Sequence, residues 1–233
     1  MGDAEERLVA ARADPEGAVL EGFHALKHAL RFGAQLLGAW TSDPAGLARL
    51  VAELAPDLEL EGVVEPVAPA ALGAHAHHTA VLAVARRPAF DPAAVGAGPV
   101  VLLEDPRHLG NVGAVVRVAA AANAAAVLTT GAGDPWDRAA LRGSAGLHFA
   151  LPVGRADPAS LRDRPLVAVD PGGAPLGRLP PDALLAFGTE RHGLSPALLA
   201  RAEARVGIPM RAGVSSLNLA TAVAVVLYAS GSA

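Results

Sequence analysis

The sequence has no cysteine, and only 3% of its 233 residues are aromatic. Without cysteine, the protein has no disulfide bonds, thiolate metal ligands or thiol nucleophile. With so few aromatic side chains, base stacking is excluded as a main mode of RNA binding. No apolar run reaches the roughly 18 residues that cross a bilayer. The acidic N-terminal stretch lacks the basic-then-apolar order of a secretory signal, so we expect a cytoplasmic protein with no membrane partner.

An excess of positive charge is also missing. The net charge is −4, and Lys27 is the single lysine among 19 basic residues. Residues 1–100 hold 7 basic against 13 acidic residues, whereas residues 101–233 hold 12 against 10. A nucleic-acid binder usually carries a basic footprint. Any RNA binding must therefore depend on a local patch of arginine, whose planar fork pairs well with phosphate.

What the chain does have is apolar content, at 52% hydrophobic residues, which is enough to bury a core. In the second half, short apolar strands alternate with helices, a pattern typical of a mostly parallel α/β sheet with helices on both faces. The first half reads as a small α/β domain, with helical spacing over residues 16–40 and strands at LLGAWTS, LEGVVEPV and TAVLAVARR. A Pro-, Gly- and Ala-rich linker covers residues 88–99. We therefore predict domains at residues 1–88 and 98–233.

Three loops that follow predicted strands hold most of the unusual polar residues: 104–117, 187–195 and 209–218. In open α/β sheets, ligands gather at the carboxyl ends of the strands. In the first loop, Asn111 stands at a predicted helix start. Arg117 follows six residues later, and we expect it on a similar side of the helix but deeper. The alternative for Arg117 is a structural ion pair with Glu104 or Asp105.

The second and third loops carry an acid and a polar cluster. Glu190 lies between two glycines and would cap backbone N–H groups or orient a substrate hydroxyl. In IPMRAGVSSLNLATA, the polar residues Ser215, Ser216 and Asn218 surround Leu217 at the start of a helix. One capping side chain satisfies a helix start. The other two therefore need a different partner.

Taken in order, these segments resemble the SpoU (TrmH) family of RNA ribose 2′-O-methyltransferases. The likeness covers about residues 98–230. It is carried by Asn111 and Arg117, by FGTERHGL with Glu190, by IPMRAGVSSLNLATA with Ser216 and Asn218, and by ALRGSAGLHFALPV at 140–153. More weakly, the first 90 residues resemble the ribosomal-protein-like RNA-binding domain that often precedes this catalytic domain.

The resemblance implies a C-terminal deep trefoil knot and a pocket for S-adenosylmethionine formed by the knotted loops. The cofactor-binding residues that it implies are Thr130, Gly131, Gly188, Ile208, Met210 and Leu217. The catalytic set that it implies is Asn111, Arg117, Glu190, Ser216 and Asn218. It further implies a homodimer through the catalytic domain, and 23S rRNA as the expected substrate.

The implied reaction is attack of a ribose 2′-hydroxyl on a sulfonium methyl group. An arginine normally stays protonated. We therefore expect Arg117 to orient the ribose and stabilise developing negative charge, with Asn111 and Glu190 as orienting groups. Arg142 and Ser144 are the predicted RNA contacts, and Arg107, Arg138 and Arg191 are further candidates for a basic patch.

We predict no metal site. The histidines of HAHH at 75–78, and the pair His24 and His28 one helical turn apart, are interpreted as solvated clusters. The sequence leaves other functions open: a tRNA 2′-O-methyltransferase, a catalytically inactive RNA-binding member or, less consistently, a nucleotide-binding oxidoreductase. The last is disfavoured because the glycine spacing is not GxGxxG.

Overall fold

A computed structural model describes residues 2–189 and 192–229. The chain divides into two compact units, each of which has its own sheet. The first unit is Met1–Pro88 together with Ala145–Ala150, and the second is Ala89–Ser144 together with Leu151–Ala233. In the described residues, no helix is both long and apolar enough to cross a membrane.

The first unit contains four helices and four strands among its described residues. Its helices are α1 Asp3–Ala13, α2 Phe23–Arg31, α3 Pro44–Leu54 and α4 Pro69–Leu72, and its strands are β1 Gly17–Glu21, β2 Leu36–Thr41, β3 Glu65–Pro66 and β4 Val81–Arg86. The strand order is β1-β4-β2-β3. Strand β4 is antiparallel to both neighbours, and β2 pairs in parallel with β3. The core is apolar and includes Leu8, Trp40, Leu72, Leu82 and Val84.

The prediction of helical spacing across residues 16–40 was wrong at its start. Residues 17–21 form β1. Gly22, which has a φ of +88°, ends this strand and precedes α2. A backbone in this left-handed region suits glycine. The strand expected at LEGVVEPV shrinks to the two residues of β3.

Residues 145–150, which lie between two stretches of the second unit, belong to the first unit. A ring nitrogen of His28 (Nδ1) lies 2.7 Å from the carbonyl oxygen of Ala145. Gly146 has a φ of +80°, and a Cβ there would lie 2.5 Å from the carbonyl oxygen of Ala25. Glycine thus allows this segment to lie directly against α2.

The second unit alternates strands and helices, as predicted. Its strands are β5 Val100–Leu103, β6 Ala126–Thr129, β7 Val153–Arg155, β8 Leu166–Pro175, β9 Leu184–Phe187 and β10 Ala204–Gly207, and its helices are α5 Leu109–Ala121, α6 Arg138–Ser144, α7 Pro196–Arg201 and α8 Leu219–Ala229. The strand order is β10-β8-β9-β5-β6-β7, and every pairing is parallel. The predicted mostly parallel α/β sheet is therefore confirmed.

The strand order reverses in the middle of this sheet. From β5 the chain proceeds outward through β6 to β7, and then crosses to β8 and β9 on the other side of β5. The loops after β5 and β9 therefore leave the sheet side by side. Such a switch point is where open parallel sheets bind ligands.

Candidate active site

The three loops singled out from the sequence meet at the carboxyl edge of the second sheet. The first follows β5, the second follows β9 and the third follows β10, and these strands lie within four adjacent positions of the sheet. Since parallel strands all end at the same edge, segments far apart in sequence converge there.

Asn218 connects the third loop to the first. Its Oδ1 accepts hydrogen bonds from the backbone N–H groups of Ala220 (2.9 Å) and Thr221 (3.4 Å), so it caps the start of α8. Its Nδ2 donates to Oδ1 of Asn111, on the first turn of α5, over 3.3 Å. A single side chain thus caps one helix and contacts the start of another.

A cavity of about 350 Å³ lies beside this contact. It is lined by four of the six predicted cofactor residues and by one predicted catalytic residue, namely Gly188, Ile208, Met210, Leu217 and Ser216. The remaining walls come from the middle of β8, the end of β9 and residues after it, the loop before α8 and α8 itself: Val169, Asp170, Pro171, Phe187, Thr189, Gly193, Ser215, Leu219 and Ala222.

Thr130 and Gly131 do not line this cavity. Instead they contact the loop after β5. The hydroxyl of Thr130 accepts a hydrogen bond from the backbone N–H of Asp105 over 3.0 Å. A Cβ on Gly131 would lie 2.3 Å from the Asp105 carboxylate. The structure therefore gives these two residues a role in shaping that loop.

Gly188 is required by the backbone around it. The turn after it is closed by two hydrogen bonds between the backbones of Thr189 and Gly193, of 3.0 and 3.1 Å. A Cβ on Gly188 would lie 2.0 Å from the carbonyl carbon of Gly193 and 2.2 Å from the nitrogen of Leu194. Glycine thus lets the turn fold back over the end of β9 and form one wall of the cavity.

Arg117 is exposed rather than deeper than Asn111, so this expectation was wrong. Six residues at about 100° each separate the two side chains by roughly 120° around the helix. Arg117 therefore shares a face with Gly113, one turn earlier, rather than with Asn111. It lines neither this cavity nor the second one described below. Within the described residues it has no ion pair with Glu104 or Asp105, so the alternative interpretation also fails.

Glu190 and Arg191, predicted as an orienting residue and as part of a basic patch, lie outside the described residues.

The two predicted RNA contacts on α6 differ in exposure. Arg142 is exposed on the last turn of the helix. Ser144 is completely buried, and its hydroxyl donates to the carbonyl oxygen of Leu141 over 3.1 Å. A direct RNA contact by Ser144 is therefore wrong, since its side chain faces the interior.

A second cavity, of about 720 Å³, shares Thr189 and Gly193 with the first. It lies between the loops after β5 and β9, and its charged and titratable lining is Glu104, Asp105, Arg107, His108 and His192. The backbone N–H of Ser195 donates to Glu104 over 2.7 Å, and Arg107 pairs with Asp105 over 2.8 Å. Thr189 and Gly193 thus border both cavities.

The histidines noted in the sequence form no metal centre in the part of the chain that the structure describes. A ring nitrogen of His75 lies 2.7 Å from the Glu21 carboxylate, and the rings of His77 and His78 pack with centroids 4.0 Å apart. The His24 and His28 rings are 6.4 Å apart.

One polar residue of the first cavity, Asp170, was missed from the sequence. It follows the apolar run of β8, in the segment LVAVDPGG. An acid directly after the apolar run LVAV was the available signal.

Curated relatives are similar to this chain. A 23S rRNA (adenosine(1067)-2′-O)-methyltransferase from Streptomyces laurentii is 34% identical over 143 residues, covering 56% of this chain and 53% of that relative. An uncharacterised tRNA/rRNA methyltransferase from Mycobacterium bovis is 34% identical over 210 residues, covering 78% of this chain and 71% of the relative. The chain therefore spans about half the length of the first relative and 71% of the length of the second.

Solved structures show the same fold. The SpoU methyltransferase AviRb from Streptomyces viridochromogenes superposes with a TM-score of 0.79 at 25% identity, covering 98% of this chain and 96% of that one. Its complex with the cofactor AdoMet gives a TM-score of 0.78 at 24% identity, with coverage of 99% and 97%. The family model for the SpoU rRNA methylases matches residues 98–228. The chain belongs to the SpoU rRNA methylase family.

Proposed function

We propose that this protein transfers a methyl group from S-adenosylmethionine to a ribose 2′-hydroxyl of 23S rRNA. The observation that carries the proposal is the convergence of Asn111, Ser216 and Asn218 beside a cavity lined by Gly188, Ile208, Met210 and Leu217. These residues come from three loops and match the family's motifs in order. The name of the Streptomyces laurentii relative supports both the reaction and the RNA class. An rRNA substrate also favours a cytoplasmic location.

The first cavity fits an adenosine cofactor. Its volume of about 350 Å³ is within the range of small-molecule sites, roughly 300–1,000 Å³. Its walls combine apolar side chains, including Phe187, Ile208 and Leu219, with hydroxyl groups at Ser215 and Ser216 and the carboxylate of Asp170. That mixture suits an apolar base joined to a polar sugar. When bound, the cofactor supplies an electrophilic methyl group.

The chain's own residues then orient the acceptor. Asn218 holds the start of α8 against Asn111, so the loop that carries Ser216 stays next to the start of α5. Ser216 is exposed at the cavity wall and has a hydroxyl for the cofactor or the target ribose. Glu190 would orient the ribose. Arg117 lies outside both cavities and keeps its charge. In the dimer proposed below, it would position a phosphate next to the acceptor in the partner's site and stabilise the developing oxyanion.

The RNA side of the site is the second cavity and α6. Thr189 and Gly193 line both cavities, so an acceptor nucleotide in the second would approach a cofactor in the first. Arg107 and Arg142 are exposed, and they provide the charge that a phosphate backbone needs. We assign the first unit, residues 1–88 together with 145–150, to RNA binding as the substrate-binding domain, and the rest of residues 98–233 to the methyltransferase domain.

The family further supports a trefoil knot in the C-terminal part of the second unit and a homodimer through that unit. Arg117 on α5 and Tyr228 near the end of α8 are exposed, and Tyr228 is 57% exposed. An exposed arginine with no ion pair in the described residues suits a site that a second copy completes. In that arrangement, one subunit supplies RNA contacts to the other's site.

Calorimetry and methylation mapping test the proposal together. We expect S-adenosylmethionine and S-adenosylhomocysteine to bind, NAD not to bind, and the purified protein to methylate 23S rRNA at one ribose. Ribose-methylation maps of cells with and without the gene should differ at that nucleotide. Methylation of tRNA alone would overturn the substrate class. Cofactor binding with no methylation of any RNA would indicate an inactive member, and NAD binding would indicate an oxidoreductase.

A further inference from the structure

Asp170 lies midway along β8, two residues after the last buried position at Ala168, and forms part of the wall of the first cavity. The residue before it, Val169, pairs with Phe187 of β9, and both line the same cavity. The side chain of Asp170 is only 20% exposed. A carboxylate removed this far from water requires hydrogen-bond donors around it.

The protein supplies two such donors, and both bind the same oxygen. Oδ1 of Asp170 accepts from the guanidinium of Arg205 over 2.9 Å and from the backbone N–H of Gly172 over 2.9 Å. Oδ2 has no hydrogen bond to any residue in the described ranges. The two bonds hold the carboxylate in a defined orientation, and one oxygen retains its capacity to accept.

We infer that Asp170 is the residue that binds the ribose hydroxyls of the S-adenosylmethionine cofactor, an assignment that rests on the proposed function. Val169 and Phe187 provide an apolar wall for the base, one residue away from the carboxylate. The sugar is joined to the base by a single bond, so its 2′- and 3′-hydroxyls lie next to whatever holds the base. An acid near the carboxyl end of a parallel strand binds ribose hydroxyls in dinucleotide enzymes by the same chemistry.

Direct binding of matched ligands tests this assignment without any activity assay. Calorimetry compares S-adenosylhomocysteine, its 2′,3′-dideoxy analogue and 5′-methylthioadenosine, which keeps the hydroxyls but lacks the amino acid. A hydrogen bond to a charged group contributes enough for the wild type to bind S-adenosylhomocysteine about 10-fold or more tightly than the dideoxy analogue. Asp170→Asn retains an oxygen that accepts the hydrogen bond from Gly172. We expect this variant to lower the ratio of the two affinities, S-adenosylhomocysteine over the dideoxy analogue, to less than about 3-fold. The substitution should weaken the binding of 5′-methylthioadenosine by the same factor as the binding of S-adenosylhomocysteine.

One control variant separates binding from an effect of any acid substitution. Asp182→Asn changes an exposed acid outside the cavity and should keep the wild-type ratio. Arg205→Gln keeps the carboxylate but removes the ion pair that orients it, so its ratio should fall between those of the wild type and Asp170→Asn. Thermal melts should show that all variants are folded. The assignment is overturned if Asp170→Asn keeps the wild-type ratio, if Asp182→Asn lowers the ratio as much, or if only the binding of S-adenosylhomocysteine weakens, which would place the amino group at Asp170. A wild-type protein that binds none of these ligands would refute the proposed function itself, and the assignment with it.

Discussion

The side chain of Asn218 caps α8 through Oδ1 and at the same time donates from Nδ2 to Asn111, 107 residues earlier in the chain. The cap explains why a residue with a side-chain oxygen stands at this helix start. The second bond explains why that residue is Asn rather than Ser or Asp. Asp and Ser are equally good caps. Neither has an NH₂ group that can donate to an amide oxygen.

The two roles of Asn218 can be separated by substitution. Asn218→Asp keeps the capping oxygen but loses the donor, so stability should stay near the wild-type value while methyl transfer falls roughly 10- to 100-fold through misplacement of the loop. Asn218→Ala should additionally lose about 1 kcal/mol of stability. Urea unfolding and single-turnover methylation measure the two effects. Full activity in Asn218→Asp would show that the bond to Asn111 has no catalytic role.

Arg117 is exposed and lines neither cavity, so its removal should leave cofactor binding intact. We expect Arg117→Ala to lower the methylation rate about 100-fold or more, which is the effect of removing one charge-stabilising group. Calorimetry with S-adenosylmethionine should give an unchanged Kd. Arg178→Ala, at an exposed arginine outside both cavities, is the matched control. A near wild-type rate for Arg117→Ala would remove Arg117 from the mechanism.

On α6, only the exposed residue should affect RNA affinity. Arg142→Ala should weaken binding of 23S rRNA fragments and lower the slope of log K against log salt by about 1, as expected for one lost phosphate contact. Ser144→Ala should leave both quantities unchanged, because its hydroxyl is buried against Leu141. Filter binding across a salt series measures both variants. Equal losses of RNA affinity in the two variants would contradict our explanation, which is that Ser144 makes no RNA contact because it is buried.

Gly113 and Gly110 provide a matched pair on α5. A Cβ on Gly113 would lie 2.0 Å from the carbonyl oxygen of Ala140, whereas one on Gly110 would meet nothing within 4 Å. Gly113→Ala should therefore force α5 away from α6 and cost about 3 kcal/mol. Gly110→Ala should be neutral or add up to about 1 kcal/mol of stability, from helix propensity. Denaturant unfolding of both variants is the measurement, and equal stabilities would contradict the close packing of these helices.

Lys27 is the one buried lysine or arginine among the described residues, with 9% of its surface exposed. Burial lowers the pKa of its ammonium, and the neighbouring charge of Arg31 lowers it further. The unfolded chain holds this proton more strongly than the folded protein does. Burying the charged ammonium therefore lowers the free energy of unfolding at neutral pH, and this cost falls as pH rises through the pKa of the folded state. Lys27→Met should raise the urea midpoint at pH 7, and the gain should shrink at alkaline pH. A lower midpoint for Lys27→Met would show that the ammonium has a stabilising partner.

Local patterns were enough to predict the second sheet. Its strands are short apolar runs such as Val100–Leu103 and Leu184–Phe187, and they alternate with helices in a way that only a parallel sheet accommodates. The first unit was harder. Residues 17–21 fit a helical spacing, yet they form a strand because they pair with β4, more than 60 residues away. Pairing at that distance overrides local periodicity.

The sequence by itself determined which residue types stand in the three loops, and their order was sufficient to identify the family. It did not determine which of those side chains meet. The bond between Asn218 and Asn111, the exposure of Arg117, the burial of Ser144 and the place of Asp170 in the cavity wall all follow from tertiary structure. The physical reason is that strand order and helix packing set the distances and orientations between loops. Both depend on contacts between segments that are remote in the chain.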